Sequence, residues 1–332
     1  MTPEFSVILP TGGRPSDGRP TDGRPDKLLK CLDALSRQKL PHHQFEIIVV
    51  DDANDRTTEA TVRNFTQVFG IEARYLSQPR RMGLAAARNR GWQAARGKIL
   101  AFTDDDCQPQ PDWLTSALPC FKRGAQVVSG HLRIPLTTRP FTYDHGPLYT
   151  ESAHFTSANL FCLRSAVHRA GGFSEDFTLA SHEDSDLQFK MIRKGVPISK
   201  CPEAVVLHPI EPPQSLLAEQ RLKSYDALLY KRHPDLFRQR MPQQRRQLLQ
   251  YTGAILSLTV AFSAVLTGHT TLALFAVGIW GFLIADLFHK NLPSGPLTVD
   301  GLKQALTMAT AAPVLSIFWR LHGAVKYRVL YL

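Results

Sequence analysis

The chain lacks any CxxC pair, and its five cysteines (Cys31, Cys107, Cys120, Cys162 and Cys201) are odd in number and widely spaced. That argues against a disulfide framework or a clustered zinc site and fits reduced thiols in a cytosolic domain. No basic segment precedes the first apolar run, Phe5–Leu9, which is too short for a signal-peptide core. It enters the turn Pro10-Thr11-Gly12-Gly13 and reads as a buried strand. The most telling absence lies further on. Thr252–His289 contains no Lys or Arg, and Asp286 is its one acid.

What is present belongs to a folded chain of more than one module. The 332 residues are 43% hydrophobic and 20% charged, outside the disordered range. The net charge of +10 would suit nucleic acid, anionic lipid or anionic substrates. Its distribution decides: Arg221–Arg246 carries eight Lys/Arg against two acids and adjoins the Lys/Arg-free stretch. An anionic membrane surface accounts for that run, and no nucleic acid is expected.

The N-terminal two thirds alternate strands with helices. FSVIL (Phe5–Leu9), FEIIVV (Phe45–Val50) and KILAFT (Lys98–Thr103) are near-continuous apolar runs, with a weaker one at Ala73–Leu76. Such runs predict strands covered on both faces, as in a parallel sheet. Lys27–Gln38 and the alanine-rich Leu84–Ala95 predict helices between them. The expected class is α/β, doubly wound, with ligands outside the carboxyl ends of the strands. Residues 13–27 hold three near-copies of a GRPxD unit, read as a loop insertion. Arg14, Arg19 and Arg24 would make a basic flap there, or the repeat is only a lengthened surface loop.

The last third predicts membrane helices. At about 1.5 Å per residue, the 38 residues of Thr252–His289 suit two short spans, near Thr252–Thr267 and Thr271–Phe288, broken at Gly268-His269. Two buried core helices are the alternative. A third apolar stretch, Ala305–Trp319, is interrupted by Pro313 and leads into a basic, aromatic tail. The domain reading is therefore catalytic at 1–215, a basic helical linker at 216–250, a membrane hairpin at 251–290, and an interfacial or third membrane segment at 297–332. Basic residues on both flanks of the hairpin place its ends, and the catalytic domain, on the cytosolic face of the cytoplasmic membrane.

Chemistry concentrates in Phe102–Leu114, FTDDDCQPQPDWL. Three adjacent carboxylates repel one another, and a divalent cation, Mg²⁺ or Mn²⁺, would relieve that repulsion. In an extended segment Asp104 and Asp106 face one way and Asp105 the other. By itself the triplet could equally be a solvated acidic turn.

Seven segments in order resemble the family 2 glycosyltransferases of GT-A fold: FSVILPT, FEIIVVDDAND, GLAAARNRGW, KILAFTDDDCQPQPDW, SANLFCLRSAVHRAGGFSEDF, HEDSDLQFKMIRKG and CPEAVVLHP. The resemblance covers roughly residues 5–210. It implies an inverting, metal-dependent transfer from a nucleotide-diphosphate sugar, by default a UDP-sugar, to a lipid-linked or saccharide hydroxyl. Asp184 would be the catalytic base. Pro10, Thr11, Asp51, Asp52, Gly83, Arg88, Asp104 and Asp105 would bind the donor, with Asp51 the likelier base contact and Arg88 reaching the diphosphate or locking aspartates. Asp104, Asp106 and His208 would hold the metal, unless His208 is simply a strand-end histidine. Glu183, Asn159 and Trp113 would contact the acceptor. One departure is His182, where many relatives have Gly before the Glu-Asp pair. Processive synthases carry a QxxRW element, and Gln243–Arg246 (QQRR) lacks its tryptophan. The competing readings are a sugar nucleotidyltransferase and a membrane-anchored, non-catalytic nucleotide-sugar-binding module.

Overall fold

The structure is a computed structural model that describes residues 2–12, 25–134, 155–209, 216–292 and 297–331. Most of the GRPxD repeat, with its three arginines, lies outside the described residues, as does most of the loop 131–155. The chain divides into two compact units, the break falling between Ile210 and Glu211.

The first unit is built on one eight-stranded sheet. Its strands are β1 (Phe5–Thr11), β2 (Phe45–Asp51), β3 (Ala73–Ser77), β4 (Ile99–Phe102), β5 (Gln108–Pro109), β6 (Val127–Arg133), β7 (Leu160–Leu163) and β8 (Ile198–Leu207), in spatial order 3-2-1-4-7-6-8-5. The β3-β2-β1-β4 half is parallel, as the apolar runs predict. The other half is mixed, with β7 antiparallel to both β4 and β6. β3 is the edge strand of this sheet and is only half-buried, which explains its weak apolar signal.

Helices α1 (Pro25–Ser36), α2 (Arg56–Phe69), α3 (Leu84–Ala94), α4 (Trp113–Lys122), α5 (Arg164–Ala170) and α6 (Glu183–Arg193) cover the faces. α1 begins inside the region read as loop. Proline suits a first helical position because its missing N–H is an orphan there, and Asp26 opposes the helix dipole. α2 is capped at both ends: the Asp55 side chain accepts from the Thr57 amide, and Gly70 closes in the left-handed region at φ 64°. The alanines of α3 have a packing reason. A Cβ at Gly91 would come within 2.6 Å of Ile8 Cγ2, so this helix rides directly on β1.

The sheet reverses its strand order between β1 and β4, a switch point at which α/β folds open a crevice at the carboxyl ends. Thr11 is paired with Asp51, so β1 and β2 end together, and β4 ends three residues earlier, with Phe102 beside Ile8. The acidic segments Asp51-Asp52 and Asp104–Asp106 leave from that edge.

The second unit is all helix: α7 (Leu216–Arg221), α8 (Ser224–Arg232), α9 (Pro234–Arg240), α10 (Pro242–Leu266), α11 (Thr270–Lys290) and α12 (Val299–Tyr327). The stretch expected as a basic helical linker, 216–250, forms α7, α8, α9 and the start of α10, and part of it is packed. Every residue of Ser224–Tyr230 in α8 is buried, and Asp226 pairs with Arg320 of α12 at 2.9 Å. The expected break at Pro313 is also absent, since α12 runs through it as one helix. Ala309, Ala312 and Pro313 are buried, and this packing outweighs the lost backbone hydrogen bond. α10 and α11 pack together, and Gln250 of α10 donates to Asp286 of α11 at 2.6 Å. Arg245–Leu266 and Thr270–Lys290 are long and apolar enough to cross a membrane, and less than a quarter of each span is buried. That degree of exposure removes the alternative of two core helices.

Candidate active site

The residues Asp104–Cys107 form a tight turn, closed by the Cys107 amide donating to the Asp104 carbonyl at 3.0 Å. The alternation expected of an extended segment therefore fails, and the three carboxylates go to three different partners. Asp104 Oδ1 accepts from Arg88 Nη2 at 2.8 Å. Asp105 Oδ2 accepts from Thr11 Oγ1 at 2.6 Å. Asp106 Oδ1 lies 3.5 Å from His208 Nε2. This last meeting depends on β5, whose Gln108 pairs with Leu207 of β8 and so brings the ends of two remote segments together. Burial and then Asp106 push the Asp105 carboxyl up to about 7, against the Thr11 hydrogen bond.

Arg88 is the hub. Its guanidinium is 2% exposed, pairs with Glu183 at 3.2 Å as well as Asp104, and stacks over Phe173 at 5.6 Å. Burial opposes its charge, yet Asp104, Asp184 and Glu183 together push its pKa upward. With so little exposed surface and both carboxylates bound, Arg88 locks the aspartate loop to α6. Of the two roles expected for Arg88, these contacts are those of the lock.

α6 starts with His182 at φ 64°, a left-handed conformation that glycine adopts freely and histidine only occasionally. The departure from Gly noted in the sequence thus falls on a position where the backbone favours Gly. In the first turn, Asp184 Oδ2 accepts from the Ser157 amide at 2.9 Å, while Oδ1 is buried with no hydrogen-bond partner among the described residues. Burial raises the Asp184 pKa against the opposing Arg88 charge. Burial and then Asp184 raise that of Glu183.

Comparison with known proteins accords with this arrangement. The family model described as "Glycosyl transferase family 2" matches residues 18–174. Most of the first unit thus resembles a family 2 glycosyltransferase domain. It is 27% identical over 212 residues to glycosyltransferase AglE of Haloferax volcanii, covering 59% of this chain and 66% of that protein. It is 31% identical over 183 residues to the pre-mycofactocin glycosyltransferase of Mycobacterium tuberculosis, covering 49% and 37%. The match thus spans less than two thirds of either relative. A solved mannosyltransferase from Pyrobaculum calidifontis, in complex with GDP-Man and Mn²⁺, shares the GT-A fold at TM-score 0.56 and 20% identity, over 99% of this chain and 88% of that one.

The remaining residues expected at the site are placed as follows. Asp51 has no exposed surface, and its carboxylate is taken by the amides of Ala53 and Asp55 and by the Tyr75 hydroxyl, at 2.7–2.9 Å. It organises the loop after β2. Asp52 accepts from the amides of Met82 and Gly83, which ties that loop to the start of α3. Gly83, at φ 91°, is needed for this approach, because a Cβ would meet the Thr178 carbonyl at 2.6 Å. Pro10 and Thr11 are buried beside the same loop. Asn159 and Trp113, expected at the acceptor, are both fully buried. Trp113 Nε1 donates to Asn159 Oδ1 at 2.8 Å, and Asn159 Nδ2 donates to the His131 and Ala204 carbonyls at 3.0 and 2.8 Å. They knit α4, β6 and β8 together.

The donor set fits a divalent metal at Asp106 and His208, an oxygen and an imidazole nitrogen facing each other. Asp104, expected as a further ligand, has one carboxylate oxygen bound by Arg88. Cys107, passed over in the sequence, joins the pair instead: its Sγ is 3.9 Å from Asp106 Oδ1. Ligand atoms of Asp106, Cys107 and His208 all lie within 4.8 Å of one another. The Asp-Cys adjacency was the available signal, but His208 lies a hundred residues further on and only the fold joins them.

Proposed function

We propose that the chain transfers a glycosyl group from a nucleoside-diphosphate sugar to a hydroxyl acceptor by a single, inverting displacement, with Asp184 as the base. The observation that carries this reading is the Asp184 carboxylate. One of its oxygens is fixed by the Ser157 amide and the other has no donor among the described residues. An acceptor hydroxyl that reaches this carboxylate would find a hydrogen-bond acceptor, and the raised pKa makes the carboxylate a better base. Glu183 is held by Arg88 and so is not offered as a second, nucleophilic carboxylate. That supports one displacement rather than two.

The donor would lie in the crevice over the ends of β1, β2 and β4, where Thr11, Asp52, Gly83, Asp104 and Asp105 line one edge. Asp106 and His208 would hold the divalent cation, which supplies charge neutralisation for the leaving diphosphate. Arg88 keeps the aspartate loop and the base in fixed relation. A UDP-sugar is the default donor, with GDP- and dTDP-sugars open. The acceptor would be a lipid-linked sugar or a growing polysaccharide. α10 and α11 would anchor the chain in the cytoplasmic membrane with the catalytic domain on the cytosolic side. Their exposed apolar faces and flanking Arg245, Arg246 and Lys290 support that orientation.

The test is nucleoside diphosphate release from a panel of nucleotide sugars by detergent-purified protein. Release from one donor, lost with EDTA and in Asp184→Asn, would establish the reaction. Release that survives Asp184→Asn would remove Asp184 as the base.

A further inference from the structure

We propose that α12 lies in the plane of the membrane surface, its exposed apolar sector set into anionic lipid on the side where the hairpin α10–α11 begins and ends. The inference rests on the membrane reading of that hairpin and goes beyond it. Leu306, Val314, Phe318, Leu321 and Val325 of α12 are each more than half exposed. At about 100° per residue they share one sector of the helix, about 120° wide. The side turned away from it is the packed one, where Ala305, Ala309, Ala312, Ser316 and Gly323 are buried. A Cβ at Gly323 would collide with the Ser224 carbonyl, so α8 seats directly on that side. The apolar sector stays open from Leu306 to Val325, about 28 Å along the axis. An exposed apolar face of that length marks a surface that something covers.

Two observations argue against a helix that crosses the bilayer. The uncharged stretch between Lys303 and Arg320 reaches about 24 Å, short of a hydrocarbon core about 30 Å thick. Both ends of that stretch also lie on one side of the hairpin. Arg320 pairs with Asp226 of α8 and donates to Gln247 Oε1 of α10 at 3.4 Å, one turn from Arg246. Further back, Ala309 and Ala312 cluster with Tyr251 of α10 and Leu287 of α11, near Lys290. α12 therefore runs across the base of the hairpin and not along it. Charge selects the cover. Lys303, Lys326 and Arg328 are exposed on α12 and its C-cap against one acid, Asp300. Basic side chains whose apolar stems lie along such a sector carry their charges to anionic headgroups, and Trp319 and Tyr327 suit the same depth.

The test places the full-length chain in nanodiscs of phosphatidylcholine and phosphatidylglycerol. Leu306→Cys, Phe318→Cys and Val325→Cys each carry a nitroxide, and Phe282→Cys marks the hairpin. The native cysteines are buried, which directs the label to the new thiol. Collision rates with oxygen and with a water-soluble nickel chelate give each depth. The three α12 labels should share one depth, about 5–10 Å into the headgroup–acyl boundary, with Phe282 deeper. Without phosphatidylglycerol they should shift toward water while Phe282 stays, and no shift would overturn the anionic preference. A depth that changes steadily from Leu306 to Val325, by up to about 28 Å, would make α12 a crossing helix and overturn the proposal. Three labels in water beside a deep Phe282 would also overturn it, leaving the face to a protein partner and the hairpin reading intact. Phe282 in water would overturn the hairpin reading, and the α12 depths would still decide this one. Leu321→Cys replaces any variant that does not fold.

Discussion

The Arg88 guanidinium lies 2.8 Å from the Asp104 carboxylate, and through its second amino group the same side chain reaches Glu183. One buried cation thereby joins the loop after β4 to the helix that carries Asp184. Removing it would leave carboxylates buried without their counterion, a loss of about 3–5 kcal/mol. Arg88→Ala should therefore lower the urea midpoint sharply. Arg88→Lys should not restore it, because a point charge cannot serve two carboxylates and the Phe173 face together. A midpoint within experimental error of wild type in either variant would contradict the hub role.

Asp184→Asn separates chemistry from folding. The amide is nearly isosteric and its oxygen still accepts from Ser157. Burial already disfavours the charge at this position. We expect turnover to fall by about 10²–10⁴, with a thermal midpoint equal to or above that of wild type. A large loss of stability would show that the carboxylate is structural.

The Glu183 carboxyl makes a pH-dependent contribution of known sign. Its pKa is raised in the folded chain, by burial first and Asp184 second. The folded state therefore holds its proton more tightly than the unfolded chain. The stability this gives is fully present below about pH 4.3, where an unfolded glutamate titrates, and is lost as the pH rises through the folded value toward neutrality. The difference in thermal midpoint between wild type and Glu183→Gln should accordingly change across that window, in favour of Gln at the high end. A pH-independent difference would contradict the shift.

Asn159 tests the correction to the acceptor assignment. Asn159→Ala strips partners from Trp113 Nε1 and from the carbonyls of His131 and Ala204, all of them within the fold. Each buried group left unsatisfied costs about 1–3 kcal/mol. Denaturation should show that loss, while the KM for acceptor, measured on the folded fraction, stays unchanged. A raised acceptor KM at preserved stability would return Asn159 to the acceptor site.

The outer faces of α10 and α11 expose Phe262, Leu274, Phe275 and Phe282. Phe275→Asp places a charge within the second apolar span, a cost of about 2.5–3.5 kcal/mol for a helix centred in a bilayer. Carbonate extraction of cell membranes should release a larger share of that variant than of wild type. Equal retention would speak against insertion of α11.

The sequence by itself determined the local elements and their order. Apolar runs marked β1, β2 and β4, the patterns at Lys27–Gln38 and Leu84–Ala95 marked α1 and α3, and the Lys/Arg-free stretch marked the exposed helices. These features are legible because they depend on neighbours a few residues away, through strand alternation, helix period and capping. The order of motifs also placed Asp184 and the aspartate loop in one family pattern. Partner choice was decided only by the tertiary structure. Arg88 meets Glu183 across 95 residues, and Asn159 meets Trp113 across 46. His208 meets Asp106 because β5 pairs with β8, and Cys107 joins them because residues 104–107 turn where an extended run was expected. The same holds at Pro313, where burial keeps α12 helical through a residue that local rules would make a break. Side-chain partnership follows from strand register and helix packing, and neither is written in any short window of the chain.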